Sequence, residues 1–119
     1  MNTETLRLYC LAKKGVEESL PFGPETLVFK VGGKVFLLAA LDAVPLQFNI
    51  KCDPERAMLL REQHTSVLPG YHMNKQHWNT VLVDGTVSEK LLWQWIDDSY
   101  ALVLNNLSKG LKQKIISGK

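Results

Sequence analysis

The sequence predicts an α+β domain, an antiparallel β-sheet backed by helices, and two observations carry that class. Thr26–Val31 and Lys34–Ala40 are β-rich runs separated only by Gly32-Gly33. A two-glycine link between such runs specifies a tight hairpin, because glycine accepts the positive φ of the primed turns. Around this hairpin stand segments with apolar residues at helical spacing, at 2–14, 53–63 and 86–105. Hairpin-linked strands with helices between them build a sheet with helices on one face. A chain of 119 residues suits a single domain, 1–119.

Each element has its own justification. Residues 2–14 begin with Asn2 or Thr3 as cap, carry Glu4 in the first turn and end at Lys13-Lys14-Gly15. Leu6, Tyr9 and Cys10 share one face there. Pro21, Gly23 and Pro24 then break the chain before the hairpin. Residues 46–52 alternate, with Leu46, Phe48, Ile50 and Cys52 on one side and Gln47, Asn49 and Lys51 on the other, the signature of a half-buried strand. Asp53-Pro54-Glu55 starts a helix: an N-cap, a first-turn proline and an acid at the positive dipole end. Residues 65–76 read as a loop with a Pro69-Gly70 turn, and 78–83 as a strand. Thr86-Val-Ser-Glu89 matches a capping box ahead of a long amphipathic helix whose stripe includes Leu92, Trp95, Ile96, Ser99 and Val103. Ser108 caps a short last helix.

Composition excludes several function classes. With 45% hydrophobic and 22% charged residues the chain has enough apolar material for a packed core. Its apolar runs are strand-sized, shorter than the roughly 18 residues that span a bilayer. The N-terminal MNTETLRLY carries polar groups where a signal peptide has an apolar run, so a cytoplasmic location and no membrane partner are expected. Cys10 and Cys52 are far apart and outside any C-x-x-C spacing, which reads as two buried thiols. Residues 1–98 hold ten Lys or Arg against twelve Asp or Glu, while 99–119 hold four Lys and no acid. The body is mildly acidic and the tail basic, so any nucleic-acid binding must use a local patch.

The chemically densest segment is Gly70-Tyr-His-Met-Asn-Lys-Gln-His-Trp-Asn79. A metal site from His72 and His77 lacks helical i, i+4 spacing and nearby carboxylates. Cys52 with a histidine lacks the surroundings of a known thiol enzyme, and the chain holds no G-x-S-x-G, Walker loop or dinucleotide fingerprint. The expectation is a non-enzyme without metal or cofactor. As structural groups, Tyr71 and Trp78 anchor the core while His and Asn satisfy loop backbone. As a binding patch, His72, Asn74 and His77 offer hydrogen bonds, Lys75 a phosphate contact and Trp78 a stacking face. Lys30, Lys34 and Lys51 stand on hairpin or strand positions able to join them, like a wing touching a DNA backbone.

Several blocks in order resemble the MmcQ/YjbR family of small bacterial proteins: Pro21-Phe-Gly-Pro-Glu-Thr26, Phe29-Lys-Val-Gly-Gly-Lys34, Lys51-Cys-Asp-Pro54, Pro69-Gly-Tyr-His-Met-Asn-Lys75, His77-Trp-Asn-Thr-Val81 and Asp97-Asp-Ser-Tyr100. The resemblance implies a YjbR-like, frataxin-like architecture and DNA binding through a double-wing arrangement. Frataxin-like iron binding would need an acidic ridge on the first helix, which here has only Glu4.

Two functional expectations result. The first is a sequence-tolerant module for double-stranded DNA using Lys30, Lys34, Lys51, His72, Asn74, Lys75, His77 and Trp78. The alternative is a protein-interaction or small-ligand module using the same loop or a groove beside Trp93 and Trp95. Trp95 fits the stripe of the long helix, whereas Trp93 lies about 160° from it at ~100° per residue. An exposed Trp93 would mark a partner surface, and a buried one a helix packed on two sides.

Overall fold

The computed structural model describes residues 1–70 and 73–118. Four helices and six strands follow one another as α1 (Thr3–Leu11), β1 (Val16–Ser19), β2 (Thr26–Val31), β3 (Lys34–Ala40), β4 (Gln47–Lys51), α2 (Pro54–Gln63), β5 (Val67–Pro69), β6 (Trp78–Leu82), α3 (Glu89–Asn105) and α4 (Lys109–Ile116). The strands form one sheet in the order β1-β2-β3-β4-β6-β5, and every neighbouring pair is antiparallel. The α+β class and the helix-backed antiparallel sheet are those the sequence predicts.

The hairpin turns where expected. Gly32 and Gly33 both have positive φ, 58° and 80°. One register step is irregular: Phe29 faces Leu37 but Lys30 faces Val35, so Phe36 is an extra residue in β3. Such a bulge lets two consecutive side chains serve one face. Phe36 and Leu37 both join the main core with Phe29, Phe48, Ile50, Val81, Trp95 and Ile96. That core lies between the sheet and the helices. The opposite face carries a smaller buried cluster of Val28, Leu38 and Trp78, with Val35 and Met73 packed on it.

Two short strands lie outside the predicted set. β1 pairs with β2, opposing Val16 to Val31 and Glu17 to Lys30. Its sequence, VEES, has no alternation to reveal it. It is held as an edge by pairing and by Arg7 of α1, whose Nε donates to Glu18 at 2.8 Å. β5 lies inside the expected 65–76 loop and pairs with β6.

The caps refine the helix starts. Asn2 and Thr5 form a reciprocal capping box at α1. At α3 the cap is Ser88, whose hydroxyl accepts from the Leu91 amide, so the expected Thr86–Glu89 box is displaced. Thr86 donates to Asp84 instead at 2.7 Å, which holds the Asp84 carboxyl below its usual range. Asp53 precedes α2 without a side-chain cap bond, and Pro54 supplies the preset first turn.

Trp93 resolves as a packing residue. It is partly buried against the core, its ring 4.3 Å from that of Tyr9, while Trp95 is 2% exposed. The long helix is packed on two sides, and the expected Trp93/Trp95 groove gives way to a core indole and a helix-helix stack. Tyr9 also donates to Asp97 at 2.8 Å, and Lys13 pairs with the same carboxylate with its ammonium over the Tyr9 and Tyr100 rings. Burial, then the Asp97 hydrogen bond, pushes the Tyr9 hydroxyl up to about 12.

Candidate functional site

The helices cover one face of the sheet, and strand alternation decides which polar side chains reach the other. Phe48 and Ile50 belong to the main core, so Gln47, Asn49 and Lys51 project from the uncovered face. Register carries this parity across the sheet. Asn49 opposes Leu38 and Gln47 opposes Ala40; on the other side Asn49 opposes Thr80 and Lys51 opposes Trp78. Lys30 opposes Val35 on β3 and Glu17 on β1.

Two regions result. At one end stand Lys30, at the C-terminal end of β2, and Lys51, the last residue of β4. Their backbones are two strands apart, about 10 Å. Lys34 follows the turn between β2 and β3 and is exposed. α4 and the link before it pack on this turn: a Cβ built on Gly32 would meet Leu107 of the link at 2.5 Å and Leu111 of α4 at 3.2 Å. The basic tail, with Lys109, Lys112 and Lys114, is thereby brought to the hairpin end.

Towards the opposite end of the same face lies an open groove of about 530 Å³. Its floor includes Leu38, Ala40, Asn49 and Thr80, and Phe22, Leu68 and Met73 form its sides. Phe22 is 71% exposed. The Thr80 hydroxyl donates to Asn49 Oδ1, which commits that oxygen and leaves the Asn49 amide hydrogens as donors. The described lining carries no charged side chain.

The loop residues of the predicted site divide. Trp78 is 8% exposed and belongs to the smaller core cluster. This corrects its assignment as a stacking face, since neighbouring side chains occupy its ring. Asn74 is exposed, but its Oδ1 accepts from the Gln76 amide at 2.9 Å, an Asx turn that shapes the loop. His77 is half-buried and its carbonyl accepts from the Cys52 amide at 2.7 Å. Lys75 is exposed and shares a surface depression with Pro54, Met58, Arg61 and Glu62, towards the helix side of the sheet. His72, like Tyr71, lies outside the described residues. The structure therefore joins Lys30 and Lys51 on the uncovered face, turns Lys34, which opposes the core residue Val31, towards the helix side of the same end, and directs Lys75 elsewhere. Gln47 and Asn49, read from sequence only as the polar side of a strand, line the groove with Thr80 and Phe22, residues that sequence reasoning left unassigned.

Both cysteines are free and buried. Burial pushes the Cys10 thiol up to about 12 and the Cys52 thiol up to about 11, so both are protonated at neutral pH and poor nucleophiles. Among the described residues no group of three or more His, Cys, Asp or Glu side chains could hold a metal ion, and no helix is long and apolar enough to cross a membrane.

Comparison with known proteins agrees with this architecture. The family model described as YjbR matches residues 11–102. YbdF of Escherichia coli is 42% identical over 97% of this chain and 94% of its own, and YjbR of Escherichia coli is 32% identical over 98% of each. The crystal structure of Deinococcus radiodurans protein DR2400 superposes with a TM-score of 0.91 at 39% identity, covering 96% of this chain and 87% of that one. A Pseudomonas syringae protein superposes with a TM-score of 0.74 at 27% identity, over 87% of this chain and 99% of its own. A family match across the sheet and into the long helix, with relatives alike over nearly their whole length, means that this chain belongs to the YjbR family.

Proposed function

We propose that this protein binds DNA by its phosphate backbone, with little sequence preference, through the hairpin end of the uncovered sheet face. The observation that carries the reading is the convergence of Lys30 and Lys51 on the uncovered face at the hairpin end of the sheet, with Lys34 exposed at the rim of the same turn and Leu111 of the lysine-bearing α4 packed against it. Lysines two strands apart stand about 10 Å from one another, a spacing suited to neighbouring phosphates and not to base edges, which are read by more closely placed polar groups. Glu17 opposite Lys30 moderates the field. Trp78, packed into the apolar cluster of the same face, and Asn74, held in its Asx turn, shape the surface instead of touching the nucleic acid.

The test is fluorescence anisotropy of a labelled mixed-sequence duplex at two salt concentrations. Three phosphate contacts release enough counterions to weaken binding about 40-fold between about 50 mM and 200 mM salt. Lys51→Ala and Lys30→Ala each weaken binding and lower the slope of log affinity against log salt by about 1. Absence of binding at low salt by folded protein rejects the reading.

A further inference from the structure

We infer that the groove on the same sheet face as Lys30 and Lys51 is a seat for one unpaired nucleobase, so that the protein prefers single-stranded nucleic acid with intact bases over the same backbone without them. This rests on the DNA reading above and gives its ligand a finer definition.

The groove has the size and chemistry of a small-ring site. Its volume of about 530 Å³ lies within the range of ordinary ligand pockets. Its sides are apolar and include an exposed aromatic, Phe22, the kind of side chain on which bases stack. The polar groups of its floor are neutral: the amides of Gln47 and Asn49 and the hydroxyl of Thr80. Amide side chains present the donor and acceptor pair that a base edge presents in return. Because the Thr80 hydroxyl donates to Asn49 Oδ1, the Asn49 amide hydrogens are the group left to donate to a ring nitrogen or carbonyl.

Position relates this seat to the phosphate contacts. Asn49 and Lys51 are alternate residues of β4 and project from the same face, about 7 Å apart along the strand. That is the reach of a nucleotide from phosphate to base. A strand whose phosphate meets Lys51 thus places its base over Asn49, where the described lining is uncharged. Paired bases inside a duplex are closed to such a contact, whereas an unpaired base enters it without the cost of unstacking.

The experiment measures anisotropy of a labelled short single strand, the same strand with abasic sites throughout, and the matching duplex, with free nucleoside as competitor. The expected result is about tenfold tighter binding of the intact strand than of the abasic one, the equivalent of one stacked base. Ala40→Phe, which fills the groove floor, should erase that difference while abasic-strand binding persists. Asn49→Ala gives the second reading should Ala40→Phe lower the melting temperature. Equal binding of intact and abasic strands, or a difference that survives both variants, overturns the base seat and leaves the lysine reading standing. Failure of every oligonucleotide to bind at low salt overturns the DNA reading and this inference with it. A free nucleoside that binds as tightly as the strand, unaffected by Lys51→Ala, assigns the groove to a free metabolite and overturns the nucleic-acid form of the proposal.

Discussion

Ser99 of α3 donates its hydroxyl hydrogen to the carbonyl of Phe36 at 2.6 Å and accepts the amide of Lys51 at 2.9 Å. It therefore stands where the β3–β4 ladder would otherwise close. Phe36 is the bulged residue, and the regular pairing of β3 with β4 begins at Leu37 and Ile50. A helix side chain completes the hydrogen bonds of a sheet defect, at the place where the chain turns Lys51 onto the open face.

Ser99→Ala removes the bridge and leaves two backbone groups in a site where Ser99 itself is 0% exposed. Each unsatisfied group costs about 1–3 kcal/mol, so urea denaturation should show a loss of about 2–6 kcal/mol. A loss well below 1 kcal/mol would mean that β3 and β4 close on each other once the hydroxyl is gone.

The two turn glycines are unequal. Gly33 has φ 80° and open space where a Cβ would stand, whereas at Gly32 a Cβ would press on Leu107 at 2.5 Å. Gly33→Ala should cost only the left-handed backbone penalty, about 1–2 kcal/mol. Gly32→Ala adds displacement of the Leu107 side chain in the link before α4, and of Leu111 in α4, and should cost more. Thermal melts of the two variants would rank them, and equal melting temperatures would contradict the packing of α4 on the turn.

Trp78 and Lys51 oppose each other across β4 and β6, yet their variants should fail in different assays. Trp78→Ala empties the smaller core cluster and should cost about 3–5 kcal/mol of stability. Lys51→Ala, on a half-exposed strand position, should stay within about 0.5 kcal/mol of the parent while weakening DNA binding. A Trp78→Ala protein of unchanged stability would return that ring to the binding surface.

High pH should unfold the protein through groups buried in neutral form. Cys52 is raised from 9.0 to about 11, Cys10 from 9.0 to about 12, and Tyr9 from 10.0 to about 12, each chiefly by burial. In each case the folded pKa exceeds the unfolded one. The stability they contribute is therefore fully present below pH 9 and lost as pH rises from 9 towards 12. Melting temperatures measured across that window should fall, and Tyr9→Phe should flatten the fall above pH 10. A flat profile would show that these groups titrate as freely in the folded state as in the unfolded one.

The main elements were legible in the sequence because their signals are local. Gly32-Gly33 between two β-rich runs has one low-energy solution, and the alternation of residues 46–52 fixes which side chains of that strand face the core. The family blocks likewise carried the fold. β1 and β5 were hidden because an edge strand of three or four residues is selected by its partner's free hydrogen bonds and not by its own pattern.

The sequence alone determined the antiparallel hairpin, the helix-backed α+β class, the buried character of both cysteines and the polar side of β4. Only the tertiary structure decided which polar groups share a surface. Strand order places Lys30 and Lys51 on one face and a groove beside them, while loop folding buries Trp78 and sends Lys75 towards α2. The physical reason is that side-chain period is a property of each strand, whereas a shared face depends on register between strands far apart in the chain.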